Sequence, residues 1–178
     1  MSGYEIRFYK DEDFAKIGDF CCGVENEPLD LYFKQEAHKD QKSGKERVYV
    51  IDLNGEIIGF FALKMASVVQ CVDEKRKEIP FLQISDFAFD VKYQNKGYGS
   101  ATFLKILELA REFRKYVGCV GIMVFVFHEK AIDFYRKMGF EEYKDVILET
   151  EYKDDFNIGC KLFIYSLIED ELIDNEEI

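Results

Sequence analysis

The segment that most constrains the fold runs from Phe81 to Val117. An apolar stretch ending at Asp90 meets the turn Asn95-Lys96-Gly97-Tyr98-Gly99, and the turn opens a run with apolar residues at Phe103, Leu104, Leu107, Ala110, Phe113 and Val117. Those intervals are helical, so the chain must pass from a strand through a tight turn into an amphipathic helix. Backbone N–H groups converge in such a turn, and the helix N-terminus adds partial positive charge. Gly97 and Gly99 keep side chains out of the concavity. From Val91 to Leu107 the only charged residues are Lys92, Lys96 and Lys105. The segment reads as a phosphate cradle, with an ordinary turn as the alternative.

The flanking sequence supplies the other elements. Tyr4–Tyr9 reads as a first strand, and Asp11 or Asp13 caps a short helix through Phe20. After Pro28, the residues Leu29, Leu31, Tyr32, Phe33 and Ala37 predict a helix that fades over Asp40–Gly44. Arg47–Leu53 and Glu56–Lys64 flank Asn54-Gly55, a strong hairpin pattern. A charged loop is expected over Asp73–Glu78, before the strand Phe81–Asp90. Gly121–Phe127 is a near-continuous apolar run suited to a strand buried on both faces. Ala131–Lys137 predicts a short helix ended by Gly139, with strand from Phe140 and a last strand at Lys161–Ile168.

At 178 residues and 48% hydrophobic, with 17 Phe and 11 Tyr, the chain is long enough to bury a core and too apolar to stay disordered. Its net charge of -11 argues against a nucleic-acid or anionic-membrane partner. The charge is uneven, however: residues 141–178 hold 13 acids and 3 lysines, leaving the first 140 residues at -1. The five cysteines (Cys21, Cys22, Cys71, Cys119, Cys160) form no C-x-x-C pair. A disulfide framework or zinc site is not expected, and reduced thiols suit a cytoplasmic protein. The first residues lack a signal-peptide pattern, and apolar runs such as Val117–Phe127 fall short of the roughly 20 residues of a membrane span.

A mononucleotide loop of the form G-x-x-x-x-G-K-[ST] is absent from the sequence, and a dinucleotide fingerprint would need glycine where Thr102 stands. The run Asp90-x-x-Tyr93-Gln94-x-x-Gly97-x-Gly99-Ser100 instead resembles the pyrophosphate-binding motif of the GNAT superfamily of N-acetyltransferases. Ala131-x-x-Phe134-Tyr135-x-x-x-Gly139-Phe140 resembles that superfamily's later signature, one helix and one strand downstream. The resemblance spans residues 4–168. It implies an α/β (α+β) fold over residues 1–168, with a mixed central sheet splayed at the acetyl-CoA site and flanking helices, before an acidic tail at 169–178.

The resemblance also implies the site. Acetyl-CoA is the co-substrate, between the strand ending at Asp90 and the strand near Gly121–Phe127. Backbone amides of Phe87, Ala88 and Phe89 face the thioester and pantetheine, that of Phe89 stabilising the oxyanion. Gln94, Asn95, Lys96, Gly97, Tyr98, Gly99 and Ser100 hold the pyrophosphate. Tyr135 matches the tyrosine that protonates the departing thiolate; a phenol of pKa about 10 is protonated at neutral pH and donates without tuning. On residues alone, Tyr135 could equally be a packing aromatic. His128 stands where many members have Asn, as a contact to cofactor or substrate or as an exposed loop histidine. Where some members carry a proton-relaying Glu, this chain has Ser85 followed by Asp86. An amine of pKa about 10 must lose a proton before attack, so the base is Asp86, a water chain or absent. No cysteine is placed beside a base by a recognisable motif, leaving an acyl-cysteine route unsupported.

The expected function is acetyl transfer to a primary amine of a small molecule or protein. Gly23–Phe33, with Ala37, Asp40-Gln41 and Ser43-Gly44, is similar to the branch of toxins of toxin–antitoxin modules that acetylate aminoacyl-tRNA. That similarity makes tRNA the alternative partner. Lys34, Lys39, Lys42, Lys45 and Arg47, against Glu36, Asp40 and Glu46, form only a weak basic patch. A non-catalytic CoA-binding module is the other alternative. No membrane partner is expected, and a homodimer is compatible with the sequence. Glu141, Glu142, Asp154 and Asp155 are expected to draw in a cationic amine, or else to be solvated surface.

Overall fold

Residues 47–64 hold two runs rich in β-branched and aromatic side chains around Asn54-Gly55, and they form the antiparallel hairpin of β2 (Arg47–Leu53) and β3 (Glu56–Val72). Asn54 and Gly55 take positive φ values of 55° and 90°, the left-handed backbone that a two-residue hairpin turn favours. In this computed structural model the described residues are 3–72, 75–143 and 160–168. The remaining strands are β1 (Tyr4–Phe8), β4 (Lys75–Phe89), β5 (Gly121–Val126), β6 (Glu141–Glu142) and β7 (Lys161–Ser166). The helices are α1 (Glu27–Leu31), α2 (Ala37–Ser43), α3 (Tyr98–Arg114) and α4 (Glu129–Lys137). One sheet carries the strands in the order β1-β2-β3-β4-β5-β7-β6, the α/β (α+β) architecture expected. The acidic tail, Asp154 and Asp155 lie outside the described residues.

Two units divide the chain: residues 1–64 with 84–105, and residues 65–83 with 106–178. In the first, β1 pairs antiparallel with β2, and β2 with β3. Alternate positions of the strands send Val48, Val50, Phe60, Ala62 and Ala88 to one face, where Phe33 and Ala37 cover them. Phe33 stacks flat on Phe60 with centroids 4.0 Å apart, and Phe20 meets Phe33 edge-on at 5.0 Å. Truncating one such buried Phe to Ala costs about 3–5 kcal/mol.

Two local expectations change here. The helix expected to fade over Asp40–Gly44 continues through Ser43, with a π turn at Tyr32–Glu36 between α1 and α2. It stops at Gly44, whose φ of 76° provides the left-handed end that helix termini favour. Asp11–Lys16 forms only a 3-10 turn, whose N-cap is Lys10; Asp13 caps it from the third position, its buried carboxylate accepting the Lys10 amide as in a capping box and two hydrogen bonds from Arg7.

In the second unit, Val68, Phe81, Met123 and Leu162 form a core over β3, β4, β5 and β7. β5 pairs antiparallel with β7 from Gly121 opposite Ser166 to Val126 opposite Lys161. A Cβ at Gly121 would stand 2.3 Å from the Tyr165 carbonyl oxygen, so the close approach needs glycine. The charged loop expected before Phe81 is shorter than its composition suggests, because Lys75 already begins β4. The exposed residues Lys75–Glu78 keep their charges in water while their backbone joins the sheet, so tertiary pairing overrides weak strand propensity. α4 begins two residues earlier than expected, and the strand expected from Phe140 is β6, paired with β7.

Candidate active site

The turn expected to hold a phosphate lies in the first unit, and its motif residues divide into braces and open positions. Asp90 is buried, and its carboxylate accepts the amides of Cys21 at 3.1 Å and Lys92 at 2.9 Å. Gln94 donates its side-chain nitrogen to the carbonyls of Cys22 at 3.0 Å and Phe89 at 2.9 Å. Both side chains therefore tie the turn to the preceding loop and to β4. Asn95 and Gly97 take φ values of 58° and 85°, and a Cβ at Gly97 would meet no heavy atom within 4 Å. Gly99 and Ser100, half-buried, lie in the first turn of α3, whose leading amides have no partner inside the helix.

Aromatic rings support this turn. Tyr98 stacks on Tyr4 at 5.9 Å and on Phe89 at 6.4 Å, and the Tyr4 and Thr102 hydroxyls lie 2.7 Å apart. The exposed Lys96 ammonium sits 5.3 Å from the centroid of the Tyr93 ring. One acid does approach: Tyr93 donates its hydroxyl to Glu56 at 2.7 Å, so the acid-free run in the sequence is not wholly acid-free in space. An open left-handed turn, unpaired helix amides and an exposed lysine fit a diphosphate.

Upstream on β4, Phe87 is half-buried while Ala88 and Phe89 are buried. The Phe87 ring meets Phe61 and Phe89 edge-on at 6.5 Å and 5.6 Å, whereas Ala88 belongs to the core on the opposite face. Asp86 shares the face of Ala88, since side chains alternate. Burial pushes its carboxyl up to about 7, helped by Glu46 and Asp40 and opposed by Lys64 and Lys45. Among the described residues no hydrogen bond reaches it. Glu46 is buried, accepting from the Tyr32 hydroxyl at 2.9 Å and pairing with Lys64 at 3.2 Å. The Tyr32 phenol is raised well above its usual value, chiefly by burial and then by Glu46 and Asp86.

The sequence reading missed Tyr32, Glu46 and Lys64. The signal was present: Glu46, Lys64 and Asp86 occupy the same alternation as Val48, Ala62 and Ala88, so charged residues stand at positions whose neighbours are core.

His128 and Tyr135 lie in the second unit. His128 is exposed at the start of α4; its side chain makes no cap bond, while its carbonyl accepts from Ala131 and Ile132 at 3.0 Å. Tyr135 is buried, its ring edge-on to Phe134 at 5.2 Å and to Phe140 at 5.1 Å. Glu142 pairs with Arg136 at 3.5 Å and Lys161 at 3.6 Å, which compensates a carboxylate expected to attract the acceptor. Among the described residues no cluster of His, Cys, Asp and Glu could hold a metal, and no helix is long and apolar enough to cross a membrane.

The chain is similar to known proteins in sequence and in fold. The chain is 30% identical over 148 residues to a tRNA-acetylating toxin of Mycobacterium tuberculosis, a match covering 79% of this chain and 87% of the relative. It is 29% identical over 145 residues to an uncharacterised N-acetyltransferase of Methanocaldococcus jannaschii, covering 82% of this chain and 53% of that relative. A mutant of the toxin AtaT bound to the C-terminus of the antitoxin AtaR matches the fold with a TM-score of 0.76 at 20% identity, over 97% of this chain and 98% of the other. AtaT complexed with acetyl-methionyl-tRNAfMet matches with a TM-score of 0.76 at 19% identity, over 96% and 98%. Residues 7–140, which hold both the turn from Asp90 to Ser100 and Tyr135, match the Acetyltransferase (GNAT) family, and the chain belongs to it.

Proposed function

We propose that this acetyltransferase moves the acetyl group of acetyl-CoA onto the α-amino group of aminoacyl-tRNA, with Asp86 taking the amine's proton and Tyr135 protonating the departing thiolate. Bound acetyl-CoA supplies the activated acyl thioester. The amides leading α3, with Lys96 and the glycine-opened turn, hold its diphosphate, while Asp90 and Gln94 keep that turn in shape. The amides of Phe87, Ala88 and Phe89 are assigned to the thioester and pantetheine, and His128 to a contact with cofactor or substrate.

The observation that carries the reading is the state of Asp86. An acceptor arrives as R–NH3+, and its nitrogen needs a lone pair before it can attack. Asp86, held near neutrality by burial, is ionised in part at pH 7 and accepts that proton on a carboxylate oxygen. An α-ammonium of pKa about 8 gives its proton to such a group at little cost, whereas a lysine ammonium near 10.4 faces about 4–5 kcal/mol. The match therefore favours an α-amine. The relative described as a tRNA-acetylating toxin supports placing that amine on tRNA.

A second reading has its own observation. In the basic stretch from Lys34 to Arg47, Lys39 pairs with Glu36 at 2.8 Å, Lys42 with Asp11 at 3.1 Å and Lys45 with Asp40 at 3.5 Å. That leaves little cationic surface there for phosphates, which favours a small cationic amine. The experiment is to incubate the protein with acetyl-CoA and a fully charged tRNA pool, or a panel of small amines. Thiol release is followed, and the digested tRNA is analysed by mass spectrometry. N-Acetyl-aminoacyl-adenosine, lost in Tyr135→Phe, is the expected result. Turnover on small amines alone would replace the tRNA reading with the second one. Cofactor binding with no turnover on any acceptor would make the chain a binding module.

A further inference from the structure

Glu46, Lys64 and Asp86 come from three separate stretches of chain, and the sheet brings them to one face. In the β2–β3 register Arg47 stands opposite Leu63, so Glu46, one step outward, faces Lys64. The Asp90 amide donates to the Ile58 carbonyl at 2.9 Å; counting back along β4 in twos places Ala88 beside Phe60 and Asp86 beside Ala62. Ser85 Oγ, donating to the Ala62 carbonyl at 3.5 Å, agrees with that count. The core face built from Val48, Val50, Phe60, Ala62 and Ala88 thus ends in a carboxylate, an ammonium and a second carboxylate. Tyr32, at the start of the π turn, closes over them with its hydroxyl on Glu46 at 2.9 Å. π turns of this kind are often kept at functional sites.

We propose that Glu46, gripped by the Tyr32 hydroxyl and the Lys64 ammonium, is a positioning residue that acts through space on Asp86 and keeps it a competent proton acceptor for the substrate's ammonium, which rests on the assignment of Asp86 as that acceptor. Glu46 is satisfied by two partners and does not itself take the proton. Its negative charge opposes ionisation of Asp86, and the Lys64 ammonium favours it. Asp40 works in the same direction as Glu46, Lys45 in that of Lys64, and the Tyr32 phenol stands alongside as an uncharged group. In the step itself one proton leaves R–NH3+, its bonding pair stays on nitrogen as the attacking lone pair, and Asp86 becomes a neutral acid that returns the proton to solvent.

The test uses the full chain without ligands, labelled at the Asp carboxyl carbons, with the Asp86 signal assigned by its absence in Asp86→Asn. In Glu46→Gln, which keeps an acceptor for Tyr32, the Asp86 titration midpoint falls by about one pH unit; in Lys64→Gln it rises by about as much. The double variant, which leaves neither charge unpaired, stays close to wild type and guards against misfolding of either single change. The acid limb of kcat/KM on the charged tRNA pool follows the midpoint, so that Glu46→Gln at pH 6 works about fivefold faster relative to its own plateau than wild type does. Midpoints unmoved in both single variants, or moved the same way, would overturn the inference. Midpoints that move in opposite directions while the rate profile stays still would overturn the base role of Asp86 and, with it, the catalytic part of the inference. That pattern is distinct from loss of coupling.

Discussion

Two buried charge networks occupy the first unit, and they end differently. Arg7 grips Asp13 with two hydrogen bonds at 2.7 Å and 2.8 Å and reaches Asp52 at 3.1 Å. Asp13 also accepts the Lys10 amide at 2.8 Å, so the buried carboxylate has a donor for each oxygen. Burial alone would raise Asp13, yet Arg7 and Lys10 outweigh it and hold it below the usual carboxylate value. The network of Tyr32, Glu46 and Lys64 meets at Glu46 and leaves Asp86 without a hydrogen bond among the described residues. A closed network is scaffold, because its charges are already answered. An open one holds a group whose proton affinity has been moved toward neutrality, which costs stability and suits proton transfer.

The largest effect that would sharpen this contrast is on rate. Asp86→Asn should lower kcat about 10²–10⁴-fold at pH 7 while keeping or raising the denaturation midpoint, since a half-buried carboxyl raised by desolvation is removed. Thiol-release kinetics and urea titration on the same preparation check both halves. Asp13→Ala should do the reverse, costing about 3–5 kcal/mol in urea unfolding and leaving the rate per folded molecule within a fewfold. If Asp13→Ala kills turnover of the folded protein, or Asp86→Asn proves as destabilising as Asp13→Ala, the division into scaffold and site fails.

A pH dependence separates the networks next. Asp86 has its folded value raised to about 7 from 3.8, so the folded protein binds the extra proton between these values, and its contribution to stability declines as pH climbs from about 4 to about 7. Asp13 has its folded value lowered; its contribution is present above the unfolded value and is lost as pH falls through the folded one. Urea midpoints at pH 4 and pH 7 should therefore show Asp86→Asn gaining on wild type at the higher pH. A constant gap across that range would mean that Asp86 is not raised. The smallest effect concerns the turn: Gly97→Ala should cost about 1 kcal/mol through its φ of 85° alone, with a measurable loss of acetyl-CoA affinity by calorimetry.

Much of the scaffold was legible from residue order. The Asn54-Gly55 hairpin, the buried β5 and the strand–turn–helix passage into α3 all follow from local pattern. Asp90 and Gln94 were legible as members of a motif but not as braces, because their partners in Cys21 and Cys22 lie 69 and 72 residues away. The net charge of -11 was a poor guide to the site. Glu142 spends its charge on Arg136 and Lys161, while the acid that matters for the chemistry proposed here, Asp86, sits in the nearly neutral part of the chain.

Sequence by itself determined the Asn54-Gly55 hairpin, the buried run of β5 and the strand–turn–helix passage proposed to hold a diphosphate, since each depends on spacing within one continuous stretch. Only the tertiary structure decided which buried charges are answered. Glu46, Lys64 and Asp86 share a parity that can be read in each strand separately, but their meeting depends on the register between strands and on the helix that carries Tyr32 across them. Register is a long-range property, and the same carboxyl would be an ordinary acid in water and a stronger one beside an arginine.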